Sequence, residues 1–218
     1  MALQILDNAP WHEAPLGHTC ASWEALRHAD GVSMIDSRRE WTECMRSGTL
    51  PASISETIDI QTVSDPDGTM KFLWGLEDGL QVESVLISDE SRQTLCISTQ
   101  VGCPIDCDFC VTAKGGFARN LTKGEILGQI VQAAMHCPDK PITNIVLMGM
   151  GEPLLNLDNV IETMETAQDT SGLGLSHRKI TLSTVGLIPQ LEEFGRRSRI
   201  NLAVSLHGTT EEQRTAIM

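Results

Sequence analysis

The sequence predicts an α/β protein in which strand–loop–helix units build a parallel sheet. A small antiparallel β meander and a short helical N-terminal region precede them. Three observations carry this. From about residue 94 onward, strand-like and helix-like stretches alternate, the pattern of right-handed βα units around a parallel sheet. The run 142–148 reads as an apolar strand of buried length. Between residues 57 and 88, strand-like stretches are separated by turn residues, which suits a meander.

Taken in order, residues 1–56 form an accessory region in which Trp11, Trp23 and Trp41, with Leu16, Leu26 and Met45, support short helices capped by Ser22 or Ser37. Residues 57–93 make the meander. Strands over 57–63 and 70–76 flank Ser64, Asp65, Pro66, Asp67 and Gly68, and a second turn at Glu77, Asp78 and Gly79 leads into a strand over 80–87. Residues 94–218 are the core. A strand covers 95–101. Thr122 and Glu125 form a capping box before a helix whose Leu127, Ile130, Val131 and Ala134 share one face. A helix over 159–169 turns Val160, Ile161 and Met164 inward, and a third strand covers 179–184. Pro189 opens a short helix carrying Leu191 and Phe194. A fourth strand covers 200–205, and Thr210 begins a last helix.

The chain has 218 residues, 41% of them hydrophobic and 21% charged, an ordinary globular composition. No apolar run approaches the ~20 residues of a membrane helix, so a membrane partner is not expected. The first residues lack a basic region and a hydrophobic segment, so the expected location is cytoplasmic. The net charge of −13 is uneven: residues 1–98 carry 6 basic and 16 acidic side chains, residues 99–218 carry 10 and 13. The whole chain therefore lacks the basic field of a non-specific nucleic-acid binder, whose affinity comes mostly from phosphate neutralisation. Local contacts remain available at Lys114, Arg119, Lys123, Arg178 and Lys179; for each, a solvated charged face is an equal alternative.

Seven cysteines, an odd number, do not suggest a disulfide framework. Cys103, Cys107 and Cys110 have the spacing C-x3-C-x2-C directly after a strand. Three thiolates on one short loop can hold three corners of a cubane iron–sulfur cluster and leave one iron open to a ligand that is not protein. A structural zinc site usually takes four protein ligands; chance clustering of buried or zinc-binding cysteines is the alternative.

This triplet, with Phe109 before its last cysteine and the glycine-rich Met148, Gly149, Met150, Gly151 after the second strand, resembles the radical S-adenosylmethionine superfamily. The match narrows at Thr99, Gln100, Val101, Gly102 and Cys103; at Gly116, Phe117, Ala118 and Arg119; at Gly149 through Gly151, Glu152 and Pro153; at Leu182, Ser183 and Thr184; and at Ser205, Leu206 and His207. These resemble the adenine-C2 RNA methyltransferases, which methylate adenine carbon 2 of large-subunit ribosomal RNA and of some transfer RNAs. Relatives conferring resistance methylate carbon 8. The resemblance runs from about residue 60 to the end and implies a partial (βα) barrel, a 4Fe-4S cluster, S-adenosylmethionine and an electron donor such as flavodoxin.

It further implies roles. The cluster would sit on Cys103, Cys107 and Cys110, where its open iron chelates S-adenosylmethionine and reduction yields a 5′-deoxyadenosyl radical. Gly151, Glu152, Ser183, Ser205, Leu206 and His207 would bind S-adenosylmethionine. A methylated cysteine carries the new carbon, Glu83 takes the proton from the RNA adduct, and Cys96 resolves that adduct through a disulfide. Each has a plainer alternative: a solvated Glu on an alternating strand, a small buried Cys, a strand-end turn at the glycines, a packed histidine. Family members are longer. This chain stops after the fourth strand of a barrel that has six in the family, and none of Cys20, Cys44 or Cys137 matches the methylated cysteine. The expectation is therefore an N-terminal fragment, inactive alone. A non-catalytic iron–sulfur or zinc module, or a radical enzyme with another substrate, is the alternative.

Overall fold

The computed structural model of the protein describes residues 15–48, 60–64 and 68–218. After a 3-10 turn at Pro15–Gly17 come α1 (Cys20–Ala29) and α2 (Met34–Ser47), packed on each other. Their caps are not the expected serines. Thr19 and Ser33 have extended backbones and accept from the N–H groups of Ser22 and Asp36. Ser22 and Ser37 lie inside the first turns and donate back to the carbonyls of Thr19 and Ser33, as mid-helix serines do. Leu16, Trp23, Trp41 and Met45 are buried as expected, whereas Leu26 is 38% exposed. Trp11 lies outside the described residues. Arg46 ties α2 to the core through the carbonyls of Gly172 and Thr170, both at 3.2 Å.

The meander comprises β1 (Ile60–Ser64), β2 (Met70–Gly75), β3 (Gln81–Ser88) and β4 (Gln93–Cys96), each antiparallel to the next. The start of the expected first strand, 57–59, and most of the turn after it fall outside the described residues. The expected strand over 95–101 is broken. β4 ends at Cys96, and β5 (Gln100–Gly102) pairs instead with β6 (Phe117–Asn120) in a separate two-stranded ribbon. Between β5 and β6 lies the short α3 (Val111–Lys114).

The expected capping box is present at Thr122 and Glu125 and starts α4 (Lys123–His136), whose Ile126, Leu127, Ile130 and Val131 are fully buried. Each such side chain stabilises the fold by about 1.5–3 kcal/mol. Then follow β7 (Asn144–Leu147), α5 (Leu157–Gln168), β8 (Ile180–Thr184), α6 (Ile188–Arg197), β9 (Asn201–Val204) and α7 (Glu211–Thr215). Thr143 precedes β7, its hydroxyl and N–H bonded to Gln93.

One seven-stranded sheet has the order β1-β2-β3-β4-β7-β8-β9, antiparallel up to β4 and parallel from β4 onward. Alternation divides its faces. Phe72, Trp74, Val82, Ser84, Leu86, Leu95, Ile145, Leu147, Ile180 and Leu182 are buried in the core, together with Val160, Met164 and Phe194 from the helices. Glu83, Val85, Cys96, Val146, Thr181 and Ser183 point to the other, partly open face. Four neighbouring parallel strands with their helices form the partial (βα) barrel that the motifs imply.

Candidate active site

The cysteine loop is built by the ribbon. Gly102 ends β5 at φ 75°, and a Cβ there would lie 1.8 Å from the Gly116 carbonyl oxygen, so only glycine lets the two sides of the loop close. Cys103 N–H donates to that same oxygen at 3.0 Å, and Cys107 and Cys110 follow through tight turns. All three cysteines are free; Cys107 is buried and the other two are half-buried. Burial pushes the Cys103 and Cys107 thiols up. Glu152 and the neighbouring thiols add to it in both, and Asp106 adds to it in Cys107. Cys103 and Cys107 thus lie within the electrostatic reach of Glu152.

Glu152 begins the turn after β7 and is 3% exposed. Its Oε1 accepts from Leu154 N–H at 3.0 Å and Thr184 Oγ1–H at 2.7 Å, and its Oε2 accepts from Val185 N–H at 2.9 Å. The carboxylate therefore welds the glycine loop to the end of β8, and its own N–H donates to Gln100 Oε1 at 2.8 Å. Gly151, at φ 103°, lies where a Cβ would come within 2.6 Å of the Gln100 Cβ. Both residues are accounted for by contact with the segment before the cysteine loop.

Sequence reasoning passed over the residues that make this junction. Ser98 Oγ donates to the Glu83 carbonyl at 2.6 Å and accepts from Met150 N–H at 2.9 Å. Gln129 of α4 binds both sides of the Ser98 peptide, N–H to Oε1 and Nε2 to O, each at 2.9 Å, and takes the Ser84 hydroxyl at 2.8 Å. Asn156 Nδ2 donates to the carbonyls of Thr99 and Leu121. The available signal was a Gln standing on the apolar face of α4.

The remaining residues assigned from sequence divide by place. Glu83 and Cys96 lie on adjacent strands and on the same open face, Val85 being the direct partner of Cys96. Glu83 pairs with Lys71 at 2.6 Å. Burial pushes the Cys96 thiol up, with the Met148 peptide N–H drawing it partly back. Ser183 sits on that face of β8. Ser205, Leu206 and His207 follow β9, and the His207 ring packs on Phe109 of the cysteine loop with centroids 4.7 Å apart. The ends of β7, β8 and β9 thus meet the cysteine loop at one edge of the parallel sheet.

Two of the suggested phosphate contacts are corrected. Arg119 is held by Asp78 at 2.6 Å and by both Glu125 oxygens at 2.8 and 2.9 Å, so its charge is already paired with two carboxylates. Lys123 is buried, and desolvation pushes its ammonium pKa down. Lys114, Arg178 and Lys179 stay exposed.

Residues 97–218 match the family model of the radical SAM superfamily. The chain belongs to the radical SAM superfamily. It is 53% identical over 168 residues to the dual-specificity RNA methyltransferase RlmN of Syntrophotalea carbinolica, covering 77% of this chain and 44% of that protein. It is 45% identical over 203 residues to the protein of the same name from Syntrophobacter fumaroxidans, covering 89% and 58%. A crystal structure of a radical SAM methyltransferase from Sphaerobacter thermophilus superposes with a TM-score of 0.85 at 31% identity, covering 93% of this chain and 66% of that one. The chain spans about half the length of the curated relatives it matches. Among the described residues no helix is long and apolar enough to cross a membrane.

Membership implies a 4Fe-4S cluster and S-adenosylmethionine as cofactors, and the donor set fits them. A structural zinc usually takes four protein ligands. A cubane takes each of three cysteines on a separate iron and leaves the fourth iron to another ligand. Glu152, the carboxylate beside the thiols, is already committed to three internal donors, so three sulfurs remain the protein's offering.

Proposed function

We propose that this chain carries the cluster- and S-adenosylmethionine-binding part of an RNA methyltransferase. Its target is adenine carbon 2 of 23S ribosomal RNA, with transfer RNA as a further substrate. The observation that supports this most is the placing of Glu83, Cys96 and Ser183 on one open sheet face, whose strands end at the three-cysteine loop.

When bound, the cluster and S-adenosylmethionine supply one-electron chemistry able to reach a carbon that polar methyl transfer cannot. Cys103, Cys107 and Cys110 hold three irons. Gly151 and Glu152 keep the glycine loop close to them, and Ser183, Ser205, Leu206 and His207 line the S-adenosylmethionine. Glu83 accepts the proton from carbon 2, which requires hydrogen-bond reach to that carbon and release from Lys71. The Cys96 thiolate attacks the sulfur of the methyl-carrying cysteine, forming a disulfide as the carbon–sulfur bond breaks, and the departing CH2 carbon takes up a proton to become the methyl group of the freed base. The methyl-carrying cysteine lies outside these 218 residues. An adenine stacked in a helix must be extruded or presented on a loop, and a flavodoxin-type protein supplies the electron.

The test is anaerobic reconstitution of the whole native protein with iron and sulfide, followed by incubation with S-adenosylmethionine, reduced flavodoxin and 23S RNA. The expected results are about four irons per chain and 2-methyladenosine on mass spectrometry of the digested RNA. Zinc without inorganic sulfide, or methylation only at carbon 8, overturns the reading. Cys96→Ala should trap a protein–RNA adduct, and clean release of product would remove its role.

A further inference from the structure

The helix α7 is bound to the site by a side chain. Arg214 Nη1 donates to the carbonyl oxygens of Leu206 at 2.7 Å and Ser205 at 3.2 Å, and its Nη2 donates to that of Val185 at 2.5 Å. One cation thus takes acceptors from the ends of two adjacent parallel strands, β8 and β9. In a chain with a net charge of −13, no carboxylate pairs with this arginine among the described residues. A guanidinium offers its donors in a rigid planar fork, so it fixes three carbonyls relative to one another in a way a lysine ammonium does not.

The segment it holds has an unusual backbone. His207 has φ 51°, the one positive φ at a non-glycine among the described residues, a conformation that persists only where surroundings impose it. The chain just past α7 reaches the cysteine loop, since the Ile217 carbonyl accepts from Asp108 N–H at 3.1 Å, and the His207 ring rests on Phe109. The turn after β9 is therefore pinned between the cysteine loop and α7, with Arg214 at the joint.

We infer that Arg214 is a positioning residue for the cofactor site: it holds the backbone of 205–207 in the shape that meets S-adenosylmethionine, without touching the cofactor itself. The inference rests on the proposed role of 205–207. The test uses Arg214→Ala and Arg214→Lys in the whole native protein. In the metal-free protein, amide exchange at Ser205 and Gly208, whose N–H groups bond to Thr184 and Leu206, should quicken at least about tenfold in Arg214→Ala, with β4 and β7 unchanged. In the reconstituted protein, iron content should hold, while the dissociation constant for S-adenosylmethionine by equilibrium dialysis rises about tenfold in Arg214→Ala and less in Arg214→Lys. An unchanged dissociation constant in Arg214→Ala overturns the inference. So does faster exchange spread evenly over the sheet, which would make Arg214 a general anchor of the fold. Failure of the wild type to bind S-adenosylmethionine strikes the functional reading instead, and the exchange measurement, which needs no cofactor, keeps the two apart.

Discussion

Replacing Glu152 by Gln changes one atom in a buried junction, and the structure sets the consequence. The carboxylate accepts three hydrogen bonds, two on Oε1 and one on Oε2. The best placed glutamine keeps its oxygen toward Leu154 N–H and the Thr184 hydroxyl and turns its NH2 toward Val185 N–H, donor against donor. Two bonds fall from charge-assisted to neutral strength, each losing roughly 1 kcal/mol or less, and one buried N–H loses its acceptor at about 1–3 kcal/mol. The total is about 1–5 kcal/mol. At about 2–4 °C per kcal/mol for a chain of this size, thermal unfolding followed by circular dichroism should move down by roughly 2–20 °C. Glu152→Ala, which orphans all three donors and opens a cavity, should cost more. A Glu152→Gln protein melting within about 1 °C of the wild type would refute the bracing role and return the carboxylate to direct cofactor contact.

Gly151→Ala places a Cβ at φ 103° within 2.6 Å of Gln100, and backbone strain plus overpacking should cost about 2–5 kcal/mol in urea unfolding. The Cys44 thiol is fully buried and pushed up to about 12, so at pH 8 it should resist iodoacetamide until denaturant is added, as peptide mapping would show. Arg119, whose guanidinium hydrogen-bonds Asp78, holds that carboxyl below its usual range. A lowered folded-state pKa means stability present above the unfolded value of about 3.9 and lost as pH falls through the folded value. Wild type should therefore exceed Asp78→Asn at pH 6 by under about 1 kcal/mol, because the pair is partly exposed, and the gap should close in urea titrations toward pH 2.

Elements governed by local chemistry were readable in the sequence. The Thr122 and Glu125 box, the inward stripe of α5 and the parallel strands β7, β8 and β9 all follow from short-range patterns. The ribbon of β5 and β6 was not, because 95–101 alternates as one strand and distant groups, Gln129, Met150 and Asn156, hold the break at Ser98 and Thr99. The caps at Thr19 and Ser33 were missed for a similar reason: serines one turn later satisfy the same composition rule. Within the site, spacing alone pointed to the cysteine triplet. Glu83 and Cys96 became candidates through family resemblance, since nothing local separates a strand Glu from a solvated one. Arg119 and Lys123 looked like free cations because Asp78, which pairs with Arg119, and Glu162 and Glu165 of α5, which lie near the buried Lys123, are distant in the chain.

The Gln129 side chain copies what a neighbouring strand would offer, one acceptor and one donor spaced for a single peptide. Ser98 can therefore leave the sheet toward the cysteines without a bare amide in the interior, where an unmet backbone group is costly. The departure point of the cysteine loop thus leans on a side chain 31 positions downstream. A methionine there, of similar length but unable to hydrogen-bond both ways, would leave the peptide to find another exit, and the loop would shift although every cysteine remained in place.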